Sequence, residues 1–317
     1  MISLQRAGSV FGAVLAVLLL TAERHPARAQ AADGAAANPV ATSCRRAAFR
    51  VVVDVGHTVG VPGALSARGV TEYAFNRQLA QDIKQKLVDA GFDSAVLLIT
   101  DKAPPRGLIE RAVRANSMPA DLFIAIHHDS VPDNLLQTWQ YEGQENHFND
   151  DYPGYAIFIS NDNADRAGSL MFGGLLGEEL QARGLQYTPH YILPLMGHHR
   201  RELLDAKAGV YRYDELIVLR KTRMPAVLLE AGSIVNRQEE LQLASPERRA
   251  LTSAAVVAAV DEFCAAKARP VARPVARLAA PKAAAAPTTA ARPANASSLA
   301  RSALTPARSG CGGKPAC

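Results

Sequence analysis

Short apolar runs alternate with segments of helical periodicity between residues 45 and 266. After the Val-rich run VVVDV, apolar residues recur at helical spacing at Phe75, Leu79, Ile83 and Leu87, and Gly91 follows as a stop. The predicted strands are FRVVVDVGH, SAVLLIT, DLFIAIH, YAIFIS, ELIVLR and PAVLLEAG, with helices between and after them. Strands alternating with helices predict an α/β fold: an open, twisted, mostly parallel sheet of about six strands with helices on both faces.

The first 29 residues have the pattern of a secretory signal peptide. Arg6 precedes the apolar run SVFGAVLAVLLLTA, and Ala27 and Ala29 fit a small-x-small cleavage site. The apolar run is shorter than the roughly 18 residues expected for a membrane span. We therefore predict export without a stable membrane span, with an uncleaved anchor as the alternative. Residues 30–44 form a lead segment before the domain at 45–266.

Residues 267–317 differ in composition from the rest of the chain. They are rich in Ala, Pro and Arg, contain nine Lys or Arg, and lack acidic and aromatic residues. Such a segment buries too little apolar surface to offset its ordering entropy, which predicts a disordered tail. The basic tail either contacts anionic envelope polymers or lipid head groups or is simply solvated. The body of the chain is net acidic, and no nucleic-acid partner is predicted.

Four cysteines are compatible with disulfides in an exported protein: Cys44, Cys264, Cys311 and Cys317. Four cysteines allow three connectivities. A Cys44–Cys264 bridge would tie the two ends of the domain together, and the other two would close a small loop in the tail.

Polar side chains follow three of the predicted strands. His57 ends the first, His127 and His128 end the third, and Glu230 ends the last. Ligands of α/β sheets gather at the carboxyl ends of strands, where we expect these residues to meet. Two histidines and a glutamate such as Glu72 suffice for a catalytic zinc with one open position, and a nearby carboxylate then accepts a proton. Alternatively, the histidines are ordinary polar residues at the rim of the sheet, and Glu72 is an acid at a helix N-terminus, where the helix dipole stabilises its charge.

Four segments resemble the zinc-dependent N-acetylmuramoyl-L-alanine amidases of the amidase-3 type. They are VVVDVGHTVGVPGALSARGVTEYAFNRQLA, RGLIERAVRAN, DLFIAIHHDS and MPAVLLEAGSIVNRQEELQL. The resemblance implies that His57, Glu72 and His127 bind one Zn²⁺ and that Glu230 is the catalytic acid/base. Asn76, Arg111 and Asn116 also match family positions, and we expect only helix and packing roles for them.

The chain departs from this family at a few positions. Val55 replaces the usual proline, His128 replaces an alanine, and TDKAPP stands where an arginine is common. These changes affect expected substrate contacts rather than the four central residues. Because alternate side chains of a strand point to opposite faces, we expect His128 to lie off the metal.

Two long segments lack a clear strand or helix pattern. Residues 131–154 contain Trp139 and His147, and residues 188–214 contain His190, His198 and His199. Connections of this length are uncommon in compact domains unless they line or cover a site. HHRRELLDAK in the second segment is a candidate for an inhibitory helix, with a surface loop as the alternative.

The resemblance implies a peptidoglycan hydrolase, and a cell-wall substrate agrees with the predicted export. The enzyme would cleave the amide between the lactyl group of N-acetylmuramic acid and L-alanine of the stem peptide, in the periplasm. Peptidoglycan is the expected partner, an activator protein is a further possible partner, and the oligomeric state stays open. The alternatives are a non-catalytic wall-binding or regulatory module on the same fold and a zinc hydrolase of another peptide amide.

Overall fold

The computed structural model describes residues 44–268, which build a seven-stranded sheet and a separate two-stranded hairpin. The strands are β1 (Val51–Val55), β2 (Val96–Leu98), β3 (Leu122–Asp129), β4 (Gln137–Tyr141), β5 (Gln144–Phe148), β6 (Ala156–Ile159), β7 (Glu202–Asp205), β8 (Val210–Arg212) and β9 (Ala226–Ser233). The α-helices are α1 (Glu72–Asp89), α2 (Arg106–Ser117), α3 (Arg166–Ala182), α4 (Ile217–Lys221), α5 (Glu239–Ala244) and α6 (Pro246–Ala268).

The main sheet has the strand order β2-β1-β3-β9-β6-β8-β7. The pairs β1–β2, β1–β3, β3–β9 and β6–β8 are parallel, whereas β6–β9 and β7–β8 are antiparallel. The predicted α/β architecture is confirmed, as a mixed sheet of seven strands. The central strands β1, β3 and β9 are almost completely buried, which explains their continuous apolar runs.

Helices cover both faces of the sheet, and alternate strand residues face each layer. Val53 and Ile124 belong to the core beneath α1, α3 and α6. Val52 and Phe123, their neighbours in sequence, belong to the core beneath α2 and α4. The side chains at the strand ends therefore also alternate between the layer of α1, α3 and α6 and the layer of α2 and α4.

One predicted strand is wrong. Most of ELIVLR forms the short helix α4, in which Val218 and Leu219 are buried against the sheet and Arg220 is exposed. A short apolar run satisfies a strand and a half-buried helical turn equally well, so its pattern alone does not distinguish them.

The two long segments contain structure that the sequence pattern did not predict. The first holds the β4–β5 hairpin, in which Glu142 and Gly143 make the turn with positive φ values of 51° and 77°. The prediction of an inhibitory helix at HHRRELLDAK is also wrong. These residues form the end of the 3₁₀ segment Pro194–His199 and then β7, which pairs with β8 at the sheet edge.

A disulfide joins Cys44 to Cys264, as predicted, with their Cα atoms 5.3 Å apart. Arg46 pairs with Asp261 nearby at 2.6 Å, so the start of the domain is fixed to α6. Within residues 44–268, no helix combines the length and apolar character needed to cross a membrane. The predicted signal peptide, the Cys311–Cys317 bridge and residues 269–317 of the predicted tail lie outside the described residues, whereas Lys267 and Ala268 are the end of α6.

Candidate active site

His57, Glu72 and His127 come together at the end of the parallel strands. The Glu72 carboxylate lies between the two imidazoles: its Oε2 is 2.8 Å from His57 Nε2, and its Oε1 is 2.9 Å from His127 Nδ1. One ligand atom from each residue lies within 4.8 Å of the others. Three residues from separate elements thus present converging metal-binding atoms.

Each of the three side chains is placed by its own element. His57 follows β1 in the left-handed region, at φ 63°, while the preceding Gly56 N–H donates to the carbonyl of Ile126 on β3. Glu72 is the first residue of α1, and His127 lies near the end of β3. The chain therefore turns sharply at His57, directly beside the strand that carries His127.

Two glycines permit this close approach. A Cβ atom at Gly56 would stand 2.4 Å from His127 Nε2, and one at Gly63 would stand 2.3 Å from Glu72 Oε2. Both distances are far shorter than real Cβ contacts. The loop between β1 and α1 consequently reaches the three side chains only because these positions have no side chain.

The Glu72 carboxylate is buried yet ionised. Burial alone would raise its pKa, but hydrogen bonds to His127 and His57 outweigh burial and hold the pKa well below its usual range. Asn76 Nδ2 and the backbone N–H of His128 also donate to Oε1, at 3.0 and 3.3 Å. A negative charge is thus maintained where a cation would bind.

His128 contacts α1 and is not part of the His57–Glu72–His127 cluster. It is buried beside α1, its Nδ1 is 2.8 Å from Asn76 Oδ1, and its ring packs 5.5 Å from the Phe75 ring, centroid to centroid. Asn76 in turn donates to Glu72 and to the Gly56 carbonyl. Asn76, for which we expected only helix and packing roles, therefore links His128 to the candidate ligand Glu72.

Arg111 on α2 also does more than pack. It forms a buried ion pair with Asp54 of β1 at 2.7 Å and donates to the backbone carbonyls of Val55 and His57. These contacts fix the chain where it turns into the left-handed conformation at His57. A buried aspartate in the Val-rich first strand was the sequence signal for this pair, since such a charge requires a partner.

Glu230 on β9 lies beside this cluster, because it is the register partner of His127 on β3. Its Oε2 is buried and has no hydrogen-bond partner among the described residues. Burial, reinforced by the nearby Asp129 and Glu72 carboxylates, raises the pKa of Glu230 well above its usual value. The side chain is therefore suited to hold and release a proton.

The four residues line one groove of about 740 Å³. One part of its wall is formed by residues 129–134 after β3, and another part by Leu195, Met196 and the His198–His199 pair. Tyr191 also lines it and donates from its hydroxyl to Asp129 Oδ1 at 2.7 Å. His147 lies on the β4–β5 hairpin instead, and His190 is buried behind Asp129, its Nε2 3.9 Å from Asp129 Oδ2.

The donor set fits a zinc ion. Two imidazole nitrogens and a carboxylate oxygen are ligands that catalytic zinc sites use while leaving a position open. The ionised Glu72 supplies the charge, and the unpaired Glu230 carboxyl lies next to the cluster. The structure thus brings together all four site residues singled out in the sequence.

Comparison with known proteins shows which proteins this chain is similar to. A family model described as N-acetylmuramoyl-L-alanine amidase matches residues 51–262. An uncharacterized Bacillus subtilis protein, YqiI, is 24% identical over 214 residues, which are 67% of this chain and 84% of that protein.

Solved amidase structures share the fold. The amidase Ami1 of Mycobacterium smegmatis aligns with a TM-score of 0.54 and 18% identity, over 69% of this chain and 98% of that one. An amidase of Clostridium difficile 630 aligns with a TM-score of 0.51 and 20% identity, over 68% of this chain and 96% of that one.

Proposed function

The chain belongs to the N-acetylmuramoyl-L-alanine amidase family, and on that premise we propose a zinc-dependent mechanism for its action on peptidoglycan. His57, Glu72 and His127 hold one Zn²⁺, and Glu230 is the catalytic acid/base. The scissile bond is the amide between the lactyl group of N-acetylmuramic acid and L-alanine.

The bound metal supplies polarisation of the amide carbonyl and lowers the pKa of a water molecule. Glu230 accepts the proton of the attacking water at its unpaired carboxyl and then donates it to the leaving nitrogen of L-alanine. Burial beside Asp129 and Glu72 raises the pKa of Glu230, which favours the protonated form that donates to the leaving nitrogen.

The surrounding residues maintain the charge of Glu72 and the positions of His57 and Glu230. Glu72 is held as an anion by its hydrogen bonds, and Arg111 fixes the backbone at His57. The buried β3–β9 pairing keeps Glu230 beside His127. The observation that carries the proposal is this adjacency of a His-Glu-His cluster and an unpaired buried carboxyl in one groove.

The test is the identity of the bond that is cleaved. The purified protein is incubated with peptidoglycan, and the released fragments are analysed by mass spectrometry. Free stem peptides that begin with an L-alanine amine support the proposal. Fragments cut within the peptide would identify a hydrolase of another amide, and no release would favour a non-catalytic module.

The Glu230→Gln variant completes this experiment. We expect it to lower peptide release by at least about a hundredfold, the usual contribution of general acid–base catalysis. The matched control is Glu145→Gln, which changes an exposed glutamate on β5 and should release peptide at the parental rate. Equal losses in both variants would contradict the role given to Glu230.

The location of the protein follows from its substrate. Amidases of this family act on the cell wall, which implies export, and the disulfide agrees with an oxidising compartment. We place the protein in the periplasm, with residues 1–29 as signal peptide, 45–266 as catalytic domain and, after the helical residues Lys267 and Ala268, 269–317 as disordered tail. The activator protein stays a prediction.

A further inference from the structure

The groove extends beyond the four site residues to a wall with a different chemical character. His198 and His199, at the end of the 3₁₀ segment Pro194–His199, line this part, and their ring centroids are 3.9 Å apart. His198 is exposed and His199 is half-buried. Neither imidazole forms a hydrogen bond with another residue of the described chain, so both retain N–H groups for a ligand.

Arg201 places a permanent positive charge behind these histidines. Its guanidinium carbon lies 3.7 Å from the ring centroid of Tyr213, which lines the groove. The guanidinium donates only to the backbone carbonyls of His198 and Arg200, both at 3.0 Å. Within residues 44–268 it has no carboxylate partner, and its Nε is buried without an acceptor.

The nearest acid in sequence does not neutralise this charge. Glu202 is engaged by Arg212 on β8 at 3.1 Å, and Arg212 is also paired with Asp214. Of the acids that line the groove, Glu72, Asp129 and Glu230 lie at its catalytic part, where Tyr191 donates to Asp129, and Asp133 lies in the segment after β3. Arg201, whose guanidinium stacks on the groove-lining Tyr213, thus carries a charge that no carboxylate of the described residues neutralises, next to the His198–His199 wall.

The remaining wall of the groove has the opposite character. Ser130, Asp133 and Asn134 line it, which supplies hydroxyl, carboxylate and amide groups and no cation. A muramoyl-peptide substrate is equally asymmetric, because its sugar is uncharged whereas its stem peptide carries carboxylates.

Resting on the proposed function, we propose that His198, His199 and Arg201 form a subsite for a carboxylate of the stem peptide. The peptide then extends from the scissile amide toward His198 and His199, and the sugar lies toward residues 130–134. The enzyme selects acidic stem peptides over those in which the carboxylate nearest L-alanine is amidated.

The experiment uses two N-acetylmuramoyl dipeptides that differ in one group. The residue after L-alanine carries either a free α-carboxylate or the corresponding amide, and kcat and KM are measured for both. We expect kcat/KM to be about tenfold higher for the carboxylate, the usual weight of a charge-assisted hydrogen bond, with the difference mainly in KM.

Arg201→Gln should lower this selectivity ratio to near one, whereas Arg201→Lys should retain part of it. Arg200→Gln is the matched control, since it removes the same charge from an exposed neighbour and should keep the ratio. If Arg201→Gln does not fold, as judged by thermal melting, His199→Gln serves as the second variant and should reduce the ratio severalfold.

The outcomes separate the two proposals. If the parent cleaves both substrates equally well, or if Arg200→Gln and Arg201→Gln lower the ratio alike, the subsite is overturned while the amidase mechanism stands. If the parent cleaves neither substrate, the proposed function fails and the subsite fails with it.

Discussion

His127 on β3 and Glu230 on β9 are register partners on adjacent parallel strands. Register partners point to the same face of a sheet, so the backbone hydrogen bonds that hold the strands together also set the spacing between a candidate metal ligand and the proposed acid/base. Both strands are buried in the centre of the sheet, which makes this spacing rigid.

This rigidity predicts the effect of Glu230→Asp. The carboxyl group would withdraw by one methylene, and the sheet would not adjust to follow it. Because a misplacement of about 1 Å can cost roughly a hundredfold in rate, we expect kcat to fall by about that factor with KM little changed. Steady-state kinetics on a defined muramoyl peptide measure this, and an unchanged kcat would contradict the assigned position.

Gly56→Ala should disrupt the site without touching a polar group. The new Cβ would lie 2.4 Å from His127 Nε2, so the imidazole must move. We expect activity to fall at least about tenfold, since small displacements of reacting groups are costly. Gly60→Ala is the matched control, because its Cβ would meet nothing within 4 Å. Similar activities for the two variants would show that the close approach is unimportant.

Arg111→Met should destabilise the fold and disturb His57 together. Removing one partner of a buried ion pair costs about 3–5 kcal/mol. Burial already raises the pKa of Asp54 to about 6, so without Arg111 this carboxyl must take up a proton or stay charged and unpaired. Denaturant unfolding measures this loss.

The double variant Asp54→Leu/Arg111→Met separates stability from positioning. Replacing both charges with apolar groups should recover most of the free energy of unfolding. The activity should stay low, because the His57 carbonyl still lacks its donor. Recovery of full activity would mean that Arg111 serves stability alone.

Reduction of the Cys44–Cys264 disulfide should lower stability and leave the site intact. The bridge joins residues 220 positions apart, and the chain-entropy model assigns a loop of that size about 5 kcal/mol. We expect a Cys44→Ala/Cys264→Ala variant to melt roughly 10–20 °C lower, and to retain its activity below that temperature. An unchanged melting temperature would contradict this contribution.

The central strands and the site residues could be predicted because their causes are local. Strands β1, β3 and β9 are buried on both faces and therefore appear as continuous apolar runs. His57, His127 and Glu230 follow or end those runs. The resemblance to a known family then assigned Glu72, which α1 presents at its first residue.

The remaining features depend on contacts that periodicity does not encode. Strands β7 and β8 are four and three residues long and lie at the sheet edge, so they present too short a pattern to recognise. ELIVLR was assigned to the wrong element because α4 buries only part of its apolar surface. The contact of Arg111 with His57 spans separate elements, and only the packing of α2 on the sheet creates it.

The most direct test of whether His57, Glu72 and His127 bind one Zn²⁺ is the zinc content of the purified protein. It is measured by inductively coupled plasma mass spectrometry after unbound metal has been removed. We expect about one zinc per chain in the parent and in Glu230→Gln, and far less in His127→Ala, provided that all three are folded. A parent that holds no zinc after exposure to it, or a His127→Ala variant that retains the metal, would contradict the assigned ligand set.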